Sequence, residues 1–248
     1  MEPLEILYSD QHLVAVDKPA GMLVHRSSID CRERDSVLDR LRAQLGRPLH
    51  LLHRLDKPVS GVLLFGLDVH AARMMTAAFE SARVHKRYVA IVRGHAPPEG
   101  VIDHALREMR DEISDARARS GKAAQPAVTT YERLATAELP LAAGRYPTAR
   151  YSLVRLWPQT GRRHQLRRHL KHISHPIVGD TTHGDGRQNR FAREHLGCER
   201  LLLCAQAVEF PHPVTGEALT VTALPDAHFA AVARRLGWKV GGPDEPLP

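Results

Sequence analysis

A chain of 248 residues, 43% apolar and 25% charged, is long enough to bury a full core, which excludes a disordered or collagen-like chain. No uncharged apolar run of about 18 residues occurs and the N-terminus lacks a basic-then-apolar leader, while Cys31, Cys198 and Cys204 include no CxxC pair; the expectation is a soluble cytoplasmic protein with reduced, structural thiols. The net charge of +7 is local, because residues 145–200 hold 12 basic against 4 acidic side chains, or +8, and the rest of the chain is −1.

Such a basic stretch is the electrostatic footprint of a polyanion, since each neutralised phosphate releases counterions. Arginine supplies 29 of the 35 cations, and its planar fork suits phosphates and base edges. The competing reading is a basic face that is merely solvated.

In chain order, Leu4–Tyr8 and Leu13–Val16 predict a hairpin across polar Ser9–His12. Ser36 is placed to cap a helix that runs to Leu45 and stops at Gly46. The apolar run Val62–Leu67 predicts a buried strand, and Asp68 caps a helix to about Arg83. Tyr88–Arg93 is the next strand, ended by Gly94. The Pro-, Gly- and charge-rich stretch from Pro97 to Gln125 reads as a solvated excursion with a short strand pair. Strands resume at Val128–Leu134 and Arg150–Trp157. A basic helix follows near Arg163–Lys171, with Leu166, Leu170 and Ile173 towards the core and its cations directed elsewhere. Leu201–Ala207 and Ala218–Ala223 read as closing strands, Asp226 caps a helix to about Leu236, and residues 241–248 read as a flexible tail. Strands without regular βαβ alternation predict a single α+β domain with a mixed sheet.

The densest polar cluster is His53-Arg54-Leu55-Asp56-Lys57-Pro58-Val59-Ser60-Gly61, set between apolar runs where buried backbone emerges into a tight turn. Positive neighbours favour an ionised Asp56, which suits a nucleophile or base. An Asx-turn carboxylate with two incidental cations fits the spacing equally well.

This cluster resembles the signature of the RluA-type pseudouridine synthases, and the likeness extends further. Lys18-Pro19-Ala20-Gly21 through Val24-His25 is similar to the family's first motif and Lys86-Arg87-Tyr88 to its tyrosine motif. Thr160-Gly161-Arg162-Arg163-His164-Gln165-Leu166-Arg167 with Pro176-Ile177-Val178-Gly179-Asp180 is similar to its third, all in the family's order. The resemblance implies the pseudouridine synthase fold, a single α+β catalytic domain over residues 1–240 with a central mixed, mostly antiparallel sheet flanked by helices and loops, and isomerisation of a uridine in RNA, with no cofactor and no metal. It implies Asp56 as the catalytic aspartate and Arg54 as the residue that helps extrude the uridine and fills its place. Tyr88 would pack against the base and assist proton removal from C5; Arg167 would pair with Asp56 and orient it. Arg162, Arg163, Arg168 and Lys171 are the candidate RNA-binding cations. Taken alone, Tyr88 is an ordinary core aromatic of a strand and Arg167 one more phosphate-facing cation.

Two departures stand out: Val59 where most relatives have threonine, and Cys204 where they usually have histidine. His164, His169, His172 and His175 invite a metal reading, but His164 and His169 are five apart, off a common helical face. A non-catalytic RNA binder would keep the basic segment but need neither Asp56 nor Tyr88. Residues 144–148 and 183–190 are similar to the branch of the family that modifies uridine 65 in the T-stem of tRNA. The expected partner is therefore tRNA, with rRNA the alternative, and the expected state a monomer away from membranes.

Overall fold

A computed structural model describes residues 2–26, 35–108, 123–144 and 146–239. Cys31, Arg145, the middle of the Pro97–Gln125 excursion and the C-terminal tail lie outside the described residues.

The chain opens with β1 (Ile6–Ser9) and β2 (Leu13–Lys18), an antiparallel hairpin. Asp10 closes its turn: its Oδ1 accepts from the amides of His12 and Leu13 at 2.7 Å each, and its Oδ2 accepts from the Tyr8 hydroxyl at 2.7 Å. Helix α1 (Val37–Leu45) starts where Ser36 Oγ accepts from the Asp39 amide and ends at Gly46, whose φ of 65° is left-handed. The short β3 (His50–Leu51) leads through the His53–Gly61 turn to β4 (Ser60–Gly66), buried at every residue. Asp68 caps α2 (Val69–Glu80) by accepting from the Ala71 amide. This helix stops three residues short of Arg83, because Ala82 takes a φ of 55° and Ser81 Oγ bonds back to the Ala77 carbonyl.

Next come β5 (His85–Arg93), β6 (Glu99–Asp103), β7 (Val128–Leu139) and β8 (Ala149–Pro158). β7 is five residues longer than its apolar run implied: the pairing with β8 continues to Leu139↔Ala149 past an irregularity between Arg133 and Ala135. The excursion contributes β6 and a bridge between Leu106 and Gln125.

Helix α3 (Gln165–His172) buries more than the expected leucines, for Gln165, Arg167 and His169 are also inside. The expectation that all its cations face away from the core is corrected at Arg167, which a buried carboxylate draws inward. Helix α4 (Gly186–Leu196) was not anticipated, because only Ala192 and Leu196 are buried and its polar sequence shows little apolar periodicity. Its ends are nevertheless encoded: Asp185 accepts from the Arg187 and Gln188 amides, and Gly197 stops it with a φ of 62°. β9 (Leu203–Pro211), β10 (Ala218–Thr222) and α5 (Ala227–Arg235, capped by Asp226) complete the chain.

The residues divide into two compact units, residues 1–86, 105–125 and 207–223 in the first and the remainder in the second. In the first the strand order is β1-β2-β4-β9, with β3 on β4 and β10 on β9. Its core joins Leu13, Ala15, Val62 and Leu64 to Ala71, Met75 and Ala78 of α2 and to Phe210. In the second the order is β9-β5-β8-β7-β6, and Val89, Ile91 and Leu153 pack with Leu196, Phe229, Val232 and Trp238. Strand pairing is mostly antiparallel throughout, which makes the architecture α+β. Cys198 and Cys204 are buried and outside any disulfide, and burial pushes the Cys198 thiol up to about 11, as suits an inert core residue.

Candidate active site

In the first unit, Asp56 sits on the turn between β3 and β4, and the Asp56 carbonyl accepts from the Val59 amide at 3.0 Å. Leu55, Val59 and Ser60 are buried around it, whereas Arg54 is exposed and Asp56 half-buried. The turn is therefore pinned by Leu55, Val59 and Ser60, with Arg54 at the surface.

Two contacts fix the turn. Lys18, with no solvent exposure, donates from Nζ to the carbonyls of Pro19 (2.8 Å), Lys57 (3.0 Å) and Val59 (2.7 Å). An ammonium taken out of water must be compensated by hydrogen bonds, and three carbonyl dipoles do so here. The Gly21 amide adds a bond to the Lys57 carbonyl at 2.8 Å, from a backbone with φ 86° that only glycine adopts without strain. The first motif thus serves as the floor of the Asp56 turn.

His53 anchors the start of the same turn. Its Nε2 accepts from the Leu64 amide at 3.1 Å, and its ring lies 5.5 Å from that of Phe79. Burial, then the charge of Lys86, pushes its imidazole down to about 3, so it is neutral and structural. Burial and then Arg54 lower the pKa of His25 as well, which places the first motif's histidine within electrostatic reach of Arg54.

In the second unit, Tyr88 is almost fully buried in β5, opposite Leu156 of β8. Arg167 forms a buried bidentate pair with Asp180, Nε to Oδ2 and Nη2 to Oδ1 at 2.8 Å each. Asp180 Oδ1 also accepts from the amides of Thr182 and His183 at 2.9 Å. Burial opposes ionisation of Asp180, but Arg167 and these amides outweigh it and hold the carboxyl below its usual range. Two parts of the third motif, distant in sequence, therefore meet as one charge-assisted clamp.

Gln165 locks the turn before α3. Its Oε1 accepts from Thr160 Oγ1 (2.6 Å) and the Arg162 amide (3.0 Å), and its Nε2 donates to the Val128 carbonyl and Thr129 Oγ1 at 3.0 Å. Arg162, Arg163 and Lys171 are exposed and Arg168 half-buried, so these candidate RNA contacts are available at the surface.

The histidines that invited a metal reading have other partners. His164 Nδ1 lies 2.9 Å from His183 Nε2, His169 bonds Thr129 Oγ1 and the His104 carbonyl, His172 stacks on His104 at 3.8 Å, and His175 bonds the Arg93 carbonyl. Among the described residues no three His, Cys, Asp or Glu side chains are grouped to hold a metal ion.

Sequence reading assigned no role to Lys18, Gln165 or Asp180. All three lie inside the motifs of the resemblance, yet their partners are up to 41 residues away and spacing does not reveal them.

Residues 12–172 match the family described as RNA pseudouridylate synthase. The chain is 53% identical over 235 residues to tRNA pseudouridine synthase C of Yersinia pestis, covering 95% of this chain and 91% of that protein. It is 49% identical to the enzyme of the same name from Haemophilus influenzae, covering 95% and 99%. Among solved structures, human RNA pseudouridylate synthase domain containing 4 superposes with a TM-score of 0.71 at 29% identity, covering 94% of this chain and 93% of that one. The motifs in register, the α+β fold and these likenesses lead to one conclusion: the chain belongs to the RNA pseudouridylate synthase family, isomerases that convert uridine in RNA to pseudouridine.

Proposed function

We propose that the substrate is tRNA and the target one T-stem uridine, position 65, with Asp56 as the catalytic carboxylate. The observation that carries this reading is the 53% identity, over nearly the whole of both chains, to an enzyme named tRNA pseudouridine synthase C. In the reaction the N1–C1′ bond breaks and C5–C1′ forms, the proton on C5 leaves and N1 gains one. The product is an isomer, so no electrons are exchanged with a second reagent. Asp56 attacks the sugar or the base, or takes a sugar proton; each is within the chemistry of a carboxylate.

Arg54, exposed on the Asp56 turn, fills the space of the extruded nucleotide, and Tyr88 and Arg167 bind substrate. Arg162, Arg163, Arg168 and Lys171 hold phosphates. Extrusion from a stem costs a pair as well as a stack, and phosphate contacts offset that cost. The family match draws on both compact units, which supports treating residues 1–240 as one catalytic domain. The protein is expected to act in the cytoplasm as a monomer; no described helix is long and apolar enough to cross a membrane.

The test is incubation of purified protein with unmodified tRNA and with rRNA, followed by mapping of the product. A single T-stem pseudouridine in tRNA is expected; efficient modification of rRNA with none in tRNA overturns the substrate while leaving the reaction class intact.

A further inference from the structure

The second unit contains a cavity of about 400 Å³ at the far end of β5, lined among others by Arg93, His95, Tyr146, Thr148, Arg150 and Gln188. Tyr88 and Arg93 are five residues apart along that strand, roughly 17 Å at the rise of a β-strand, and an odd spacing puts them on opposite faces. The cavity therefore lies away from the tyrosine assigned to the base. Its volume falls within the range of about 300–1,000 Å³ usual for small-ligand sites.

The chemistry of its wall is specific. Arg93 is half-buried, lies 5.5 Å from the centre of the Tyr146 ring, and has no ion-pair partner among the described residues. Two carboxylates lie nearby, Glu138, which is held by Arg150, and Asp185, which also feels the Arg93 charge. Glu138 accepts from Thr148 Oγ1 (2.6 Å) and Arg150 Nε (3.1 Å), and Asp185 accepts from the first amides of α4. Tyr146 leaves 43% of its surface exposed. The floor is close-fitting: Gly94 has a φ of 81°, and a Cβ there would come within 3.1 Å of the His175 ring. A half-buried guanidinium beside an exposed aromatic ring and the Gln188 and Thr148 side chains matches a phosphate joined to a flat heterocycle.

We infer that this cavity binds one nucleotide of the substrate RNA, remote from the uridine that reacts, with Arg93 on its phosphate and Tyr146 stacked on its base. The inference rests on the reading of the protein as an RNA-modifying enzyme and adds a second point of attachment to it. A free mononucleotide has the same chemistry. The RNA chain is favoured because Tyr146, Pro147, His95 and Arg150 are all exposed at the rim, leaving the flanking phosphodiesters an exit.

Tyr146→Ala, Tyr146→Phe and Arg93→Gln test this, with unmodified tRNA transcript as substrate and RNA binding measured across a salt series. Tyr146→Ala is expected to raise KM about tenfold with kcat within twofold of wild type, as for loss of one stacked base, and Tyr146→Phe to restore it. Arg93→Gln is expected to lower the slope of log K against log salt by about 0.7–0.9. Unchanged KM in Tyr146→Ala together with an unchanged slope in Arg93→Gln overturns the site. Saturable binding of a UMP, CMP, AMP and GMP mixture that both variants lose, with RNA affinity intact, overturns the RNA source in favour of a free nucleotide. Wild-type protein that makes no pseudouridine in any RNA fails the functional reading instead, and the salt series on RNA binding still decides the pocket.

Discussion

Lys18 Nζ reaches the Val59 carbonyl at 2.7 Å from a position with no solvent exposure, so the turn that carries Asp56 rests on a buried ammonium. Lys18→Met relieves the cost of burying that charge but takes the Nζ donor from three carbonyls, of which that of Lys57 keeps the Gly21 amide; a carbonyl left unpaired costs about 1–3 kcal/mol. A net loss of about 2 kcal/mol is expected in urea unfolding, with kcat falling more than KM rises, because the displaced group positions chemistry rather than substrate. Unaltered kcat in folded Lys18→Met would separate the turn's geometry from catalysis.

Asp56→Asn is expected to abolish pseudouridine formation and to leave RNA affinity within a few-fold of wild type. On the proposed roles the substitution removes a nucleophile or base, while the cations proposed to hold phosphates lie in and just before α3. Turnover by the purified variant at more than a trace of the wild-type rate would remove Asp56 from the mechanism.

The Arg167–Asp180 pair predicts a stability effect instead. Both side chains are buried, at 4% and 0% exposure, so Asp180→Ala removes the bidentate carboxylate partner of a buried guanidinium. The expected cost is about 3–5 kcal/mol in chemical denaturation, and the double variant Arg167→Met, Asp180→Leu should recover part of it. A loss below 1 kcal/mol in Asp180→Ala would mean that the arginine finds water or another acceptor.

What the sequence revealed follows the range of the interactions. Caps at Ser36, Asp68 and Asp226 act on amides three residues away, and all three helices begin where those residues stand. The hairpins and the buried run of β4 are equally local patterns of hydrophobicity. Helix α4 escaped because packing requires only two of its side chains, and the signals at Asp185 and Gly197 were not joined by an apolar stripe. For the site, motif residues could be picked out by type, but their supports could not. The Lys18 carbonyl cradle and the Arg167–Asp180 clamp are tertiary contacts that no spacing rule encodes.

His53 gives a pH dependence. Its folded pKa is depressed to about 3, below the value of about 6.5 for an unperturbed imidazole, so the unfolded chain takes up a proton that the folded one refuses. Its contribution to stability is complete above about pH 6.5 and is lost as the pH falls towards 3. His53→Gln, which keeps an acceptor for the Leu64 amide without titrating, should flatten the stability profile in that window. The comparison is made by denaturant midpoints from pH 7 to pH 4; parallel profiles for the two proteins would assign the acid sensitivity to other groups.

The cations in and just before α3 predict an electrostatic effect. Arg162 and Arg163, which precede the helix, are exposed and Arg168 on it is half-buried, in contrast to the buried Arg167. Replacing Arg162, Arg163 and Arg168 with glutamine removes up to three phosphate contacts without opening the core, so the melting temperature should shift little. Each lost contact lowers the slope of log K against log salt by about 0.7–0.9, or about 2 for the triple variant, and affinity should fall for unrelated RNAs alike. On the proposed role these contacts hold the RNA before and after base extrusion, so KM should rise while kcat at saturating tRNA stays near wild type. Salt-dependent binding of wild type and variant decides it: equal slopes would show that this face of the helix does not meet RNA, and a fall in kcat at saturation would give the arginines a part in the extrusion step itself.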